Sequence, residues 1–285
     1  MGPGSTQIVS AVKRALKSGG YPKAKVGHGG TLDPLASGVL PVALGEATKL
    51  CGRMLDSDKV YEFTIDFGTE TDTLDGEGQI VATSEVRPSP QQVQAVLSQF
   101  TGPIEQIPPA YSALKIDGRA AYARARAGEE LEMKVRTVTV HSLALVATSP
   151  DQATLAARVS KGTYIRSLAR DISRALGTVG HVTMLRRTRA GPFALQQAIS
   201  LDKLEELAKA RQLEQTLLPL AAGLDDIPAL PVTPDQARLL RQGRKLTGTA
   251  AQPGLHLATE GSVPVALVEL FEGELRVVRG FNLSS

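Results

Sequence analysis

One cysteine, Cys51, stands in a chain of 285 residues. A lone thiol excludes an internal disulfide framework and argues against a zinc–thiolate site. The four histidines, His28, His141, His181 and His256, fall at no metal-ligand spacing, so no metal is expected. No uninterrupted apolar run is long enough to cross a bilayer, and no secretory leader is recognisable. The expected compartment is therefore the cytoplasm, without a membrane partner. Internal repeats and low-complexity tracts are also missing. What remains is 42% apolar and 21% charged, an ordinary globular balance. The length suits one large domain plus a small one.

Net charge is only +3, but it is unevenly placed. Acidic residues dominate between Arg53 and Glu77, with Asp56, Asp58, Glu62, Asp66, Glu70, Asp72 and Asp75 among them. Between Arg158 and Gly191 the balance reverses, and Arg158, Lys161, Arg166, Arg170, Arg174, Arg186, Arg187 and Arg189 face only Asp171. A run so one-sided implies a polyanionic partner, because phosphate contacts are where basic side chains add most affinity.

The pattern of apolar residues predicts mixed helices and strands. Ile8, Val9, Val12 and Leu16 form a helical stripe that Gly19-Gly20 ends. Lys59 to Phe67 alternates, placing Tyr61, Phe63, Ile65 and Phe67 on one face of a strand. Gly68 to Gly78 is a polar, turn-rich connection, followed by a short strand from Gln79 to Ala82. Ser89-Pro90 starts a helix, and a basic helix carries Arg119, Arg124 and Arg126. Val135 to Ala147 and Ala153 to Val159 read as paired strands. A helix then runs from Gly162-Thr163 to Gly177, with Arg166, Arg170 and Arg174 on one side. A strand follows from Gly180 to Arg187, then a helix from about Leu201 to Ala210. The Pro-rich join at Ile227-Pro228-Ala229-Leu230-Pro231 marks a boundary. Beyond it lie a Thr233-Pro234-capped helix and two short strands around Phe271-Glu272-Gly273.

The stretch most loaded with chemistry is Gly27-His28-Gly29-Gly30-Thr31-Leu32-Asp33-Pro34-Leu35-Ala36-Ser37-Gly38. Four glycines in these twelve residues permit positive φ and close approach. Pro34 holds the single carboxylate, Asp33, out of the helical region. A nucleotide-cradling loop is the competing assignment, but the Gly-Lys-Ser/Thr ending of a P-loop is missing, as is the spacing of a dinucleotide fingerprint. The order of letters instead resembles the His-x-Gly-x-Leu-Asp-Pro-x-Ala-x-Gly motif of the tRNA pseudouridine synthase B (TruB) family, with Gly29 where that family usually has threonine.

The resemblance extends through further motifs in family order and implies the rest. Asp33 falls on the nucleophile. Arg166, in Lys161-Gly162-Thr163-Tyr164-Ile165-Arg166, falls on the arginine that pairs with it. Tyr61, in Asp58-Lys59-Val60-Tyr61, falls on the tyrosine that stacks on the target base and helps remove its proton. Leu185 borders the flipped base, and His28 fills the space it leaves. Lys49 and Asp75 also match family positions, with Tyr164 and Asp75 as supporting residues. The candidate RNA contacts are His28, Lys49, Leu185, Arg186 and Arg187, together with Arg170 and Arg174, which no motif assigns and which are expected there because they share a helix side with Arg166.

The implied fold is α+β: a mixed, mainly antiparallel sheet with flanking helices over residues 1–226, and a small β-rich PUA-like RNA-binding domain over 227–285. The first five residues read as a cloning leader. The resemblance also implies an N-terminal strand that is missing here, with the chain truncated or mis-started by roughly twenty residues. The implied function is isomerisation of uridine 55 in the tRNA T loop by a monomer that needs no cofactor. Two alternatives are a synthase acting on another structured RNA and a non-catalytic chaperone of the tRNA T arm.

Overall fold

The computed structural model describes residues 2–283, so Met1 of the opening stretch lies outside the described residues. The chain forms two compact units. The first is built from Leu32–Val39 and Leu55–Ala198, together with the extreme N-terminus. The second is built from Ser5–Thr31, Leu40–Met54 and the chain from Ile199 onward.

The first unit is organised on a seven-stranded sheet. In spatial order its strands are Phe193–Ala194, Gly180–Ala190, Lys59–Phe67, Gln152–Val159, Arg136–Thr148 and Gly102–Gln106, with Ser37–Gly38 alongside Gly180–Ala190. All pairings are antiparallel except that of Ser37–Gly38. The Lys59–Phe67 strand is interior because its alternation gives it an apolar face to bury. Phe63 and Ile65 are both 0% exposed, packed with Leu155, Val182 and Leu185 from the flanking strands. Each such side chain removed from water contributes roughly 1.5–3 kcal/mol.

The helix Ile165–Ala175 covers that face. Its Ile165, Leu168, Ala169 and Ile172 recur at helical spacing and join the same core. This periodicity fixes the rotation of the helix, and with it the direction of Arg166.

Two expectations need correction here. The basic helix is only Ala121–Arg126, and Arg119 lies in a short strand paired with Lys115–Ile116. Asp117-Gly118, with φ of 50° and 79°, makes the tight two-residue hairpin turn for which Asp-Gly is suited. The connection after Gly68 is also partly ordered, since Thr69–Thr71 pairs with Ile80–Thr83.

The second unit contains the helix Ser5–Ser18, whose Val12, Ala15 and Leu16 pack on Leu204, Leu207 and Ala208 of the helix Leu201–Lys209. Val26–His28 pairs antiparallel with Val42–Leu44. A five-stranded sheet follows, in the order Ala229–Pro231, Gly254–Glu260, Val263–Phe271, Glu274–Gly280 and Leu246–Thr247. The helix Pro234–Arg241, capped reciprocally by Thr233 and Gln236, seats Ala237 and Leu240 on that sheet. The two strands around Phe271-Glu272-Gly273 have nine and seven residues, longer than expected. Among the described residues, no helix is long and apolar enough to cross a membrane.

Candidate active site

Asp33 sits in the loop before Ser37–Gly38, in a turn closed by the Ala36 amide donating to the Asp33 carbonyl. The downstream arm of this loop is stitched to the Gly180–Ala190 strand. Gly38 pairs with Arg187 in parallel register, and the Val39 amide donates to the Arg187 carbonyl at 2.8 Å. Gly38 has φ +98°, and a Cβ there would stand 2.2 Å from the Arg187 carbonyl oxygen. Only glycine permits that approach.

Arg166 enters from the first turn of its helix and is 5% exposed. Its Nε donates to Asp33 Oδ2 at 2.9 Å, one terminal nitrogen to the Thr73 carbonyl at 2.8 Å, and the other to the Tyr111 carbonyl at 3.0 Å. The nitrogen on Thr73 also lies 3.3 Å from Asp75 Oδ2. A guanidinium held on all its edges is a rigid platform, and Asp33 is the exposed end of it. The Asp33 side chain is 32% exposed, whereas that of Asp75 is 8% exposed.

Asp75 is braced in turn. Its Oδ1 accepts from the Thr73 hydroxyl at 2.5 Å and the Glu77 amide at 3.1 Å. Beside it Leu74 has φ 61°, a conformation that costs an L-residue roughly 1–2 kcal/mol. Burial of Leu74 and its carbonyl's bond to the Val182 amide hold it there.

Tyr61 is half-buried on the Lys59–Phe67 strand. Burial raises its phenol above the usual range, the Arg187 guanidinium opposes that shift, and the Asp33 carboxylate adds to it. Tyr61, Asp33, Arg166, Asp75 and Arg187 thus form one constellation in the first unit. Among the described residues no group of histidines, cysteines and carboxylates is placed to hold a metal ion.

The remaining expected site residues are placed differently. Leu185 lies in the core, 5% exposed and opposite Phe63. Tyr164 caps the helix end by its backbone, exchanging hydrogen bonds with the Gln106 side chain at 2.7 and 3.1 Å. Gln106, 2% exposed, is a site-building residue that sequence reading missed. A glutamine ending a strand carries no motif. Arg186 is exposed. His28 ends a strand of the second unit with its Nδ1 buried and lacking a hydrogen bond among the described residues. Lys49, also in the second unit, donates to Glu46 at 2.6 Å and to the Gly280 carbonyl at 2.9 Å.

Three of the candidate arginines have partners within the protein. Arg170 donates to Asp171 at 2.8 Å and its side chain is 12% exposed. Arg174 donates to Glu70 at 2.9 Å. Arg187 is 1% exposed, and its Nε donates to the Val39 carbonyl at 2.7 Å. Its strand turns it inward, so its guanidinium meets protein groups and not solvent.

Two family models match the chain: "TruB family pseudouridylate synthase (N terminal domain)" over residues 14–165, and "tRNA pseudouridylate synthase B C-terminal domain" over 166–225. The chain belongs to the TruB family. The boundary between the two TruB models falls inside the first turn of the Ile165–Ala175 helix, so it divides the match and not the fold. The tRNA pseudouridine synthase B of Novosphingobium aromaticivorans is 65% identical, covering 98% of this chain and 94% of that TruB protein. That of Zymomonas mobilis is 64% identical, covering 99% and 93%. A chain in the structure of an H/ACA RNP bound to a substrate RNA containing 2'-deoxyuridine superposes with TM-score 0.76 at 23% identity, over 99% of this chain and 82% of that one. The likeness to that chain is one of fold.

Proposed function

We propose that this TruB-family enzyme converts uridine 55 of the tRNA T loop to pseudouridine, with Asp33 as nucleophile. The observation that carries the reading is the Arg166–Asp33 pair. A buried, fully bonded guanidinium presents one partly exposed carboxylate at 2.9 Å. Such a group is preorganised for attack and loses little freedom on reaction. The names of its TruB relatives supply the tRNA substrate.

In the reaction the N1–C1′ bond breaks, the uracil turns, and a C5–C1′ bond forms. The hydrogen on C5 leaves as a proton and N1 gains one, so composition is unchanged. Asp33 holds the detached fragment covalently while the base turns, and Tyr61 stacks on the base and assists loss of the C5 proton. The uridine must first leave its stack, at a cost of a few kcal/mol. His28 fills the space left behind, and Leu185 backs the pocket. Lys49 and Arg186 are RNA contacts in this reading, and the sheet of residues 227–285 is a PUA-like RNA-binding module.

Tritium release from a tRNA transcript labelled at uracil C5 tests the reading, because only isomerisation frees that hydrogen. Release by the parent, absent in Asp33→Asn, is the expected result. Release from another structured RNA but not from tRNA would change the substrate, and tRNA binding without release would leave a chaperone.

A further inference from the structure

We propose that Arg187 is a positioning residue that couples the nucleophile loop to Tyr61, and that it does not contact RNA phosphate. Four observations converge on it. It is 1% exposed, the largest side chain buried to that degree among the described residues. Its side chain and its backbone grip the same residue of the loop, Nε on the Val39 carbonyl at 2.7 Å and its own carbonyl on the Val39 amide at 2.8 Å. Gly38 packs flat against its backbone. Across the sheet its Cα is the register partner of Tyr61, which puts the two side chains on one face of neighbouring strands, and its charge acts on the phenol.

One guanidinium therefore spans the two components that must close on a base. The loop carrying Asp33 is tied to it six residues downstream, at Val39, and Tyr61 faces it across the strand pair. A buried arginine stranded without partners would be costly, so its donors hold their acceptors firmly. Its charge also draws the phenol back from the shift that burial imposes. Arg166 fixes Asp33 from the helix side, and Arg187 fixes the distance between the loop and the ring from the sheet side. Nothing in the motif reading separates Arg187 from its exposed neighbour Arg186, because the strand alone decides which of the two turns inward.

The inference rests on Asp33 and Tyr61 acting together on the base, so the experiment carries Asp33→Asn as a separate control. Arg187→Lys and Arg187→Met are compared with the parent in single-turnover tritium release at saturating tRNA, in tRNA affinity across a salt series, and in thermal melting. The expected result is a rate lowered roughly 10- to 100-fold, the range that small misplacement costs, with tRNA affinity within about twofold and an unchanged salt slope. Each is also combined with Tyr61→Phe. The double variant should lose less than the product of the single losses, since both act on one contact.

A parental rate at saturation with a salt slope flatter by about one unit would make Arg187 a phosphate contact and overturn the proposal. Losses that multiply with Tyr61→Phe and track a lowered melting temperature would make it merely structural, which also overturns it. If Arg187→Met does not fold, Arg187→Lys decides, as it keeps the charge and loses the fork. Turnover by Asp33→Asn would instead remove the nucleophile assignment, whatever Arg187 does.

Discussion

Arg166 and Arg174 project from one helix and have opposite surroundings. The Arg166 side chain is 6% exposed and meets Asp33, Asp75 and two carbonyls, while that of Arg174 is 57% exposed and meets Glu70. Both are ion pairs by distance, but they are not equivalent. Water screens the outer one, and exposed pairs typically contribute under about 1 kcal/mol. Breaking a buried pair leaves an uncompensated charge and costs about 3–5 kcal/mol. The difference lies in the depth at which each residue leaves the helix, which the apolar stripe of Ile165, Leu168, Ala169 and Ile172 determines.

The same comparison explains the charge asymmetry along the chain. The acidic run and the basic run are in part each other's partners: Arg158 meets Asp58, Lys161 meets Asp56, Arg174 meets Glu70, and Arg166 meets Asp75. The Lys59–Phe67 strand lies between Gln152–Val159 and Gly180–Ala190, so runs distant in sequence meet at one sheet. A polyanion-seeking surface inferred from the basic run alone overcounts, because part of that charge is neutralised at home.

The largest break in this comparison should come from Arg166→Lys. An ammonium keeps the charge but cannot hold Asp33, Asp75 and two carbonyls together. Turnover should fall at least about a hundredfold with tRNA affinity little changed. Unchanged turnover with weakened binding, measured by single-turnover release and filter binding, would make Arg166 a phosphate contact.

Gly38→Ala should come close behind. The added methyl meets the Arg187 carbonyl at 2.2 Å in a backbone with φ +98°, so the loop must leave the strand. Loss of activity should exceed loss of melting temperature. A variant with parental turnover would show that the loop's attachment is dispensable.

Lys59 sharpens the buried side of the comparison. It is 6% exposed, its ammonium donates to the Leu55 and Ser57 carbonyls, and burial pulls its pKa from 10.5 down to about 8. The folded state then binds this proton less tightly than the unfolded chain does. Stability should rise with pH between about 8 and 10.5 through this group, by at most about 3 kcal/mol. Comparison of urea midpoints at pH 7 and 10 for the parent and Lys59→Met isolates the effect. An equal pH dependence in the two proteins would show that Lys59 does not contribute it.

The smallest effect should belong to Arg174→Ala, with melting stability changed by under about 1 kcal/mol and turnover at saturating tRNA parental. Its salt slope for tRNA binding should also be parental, because Glu70 already holds the guanidinium. A slope flatter by about one unit would return Arg174 to the RNA surface.

Much of the sheet was legible in the chain. Lys59 to Phe67 declares itself by alternation, and the Thr233-Pro234 cap by its side-chain chemistry. The Asp33 loop was legible through its motif, and Arg166 with it. The Ala121–Arg126 helix was overextended because the Asp117-Gly118 turn was passed over in favour of the basic run. Gln106, Thr73 and the roles of Arg170, Arg174 and Arg187 were not legible. Each depends on which groups a residue meets from distant parts of the chain.

The sequence by itself determined the local elements, the apolar faces that must be covered and the family motifs, since these depend on neighbours a few residues apart. Only the tertiary structure decided how deep each arginine lies and what it meets: Arg166 buried on two carboxylates, Arg174 in a surface ion pair, Arg187 buried against Val39. Two adjacent arginines on a strand, Arg186 and Arg187, are chemically identical in the chain. Once the sheet is covered on one face, pleating sends one to water and the other against Val39 and Tyr61.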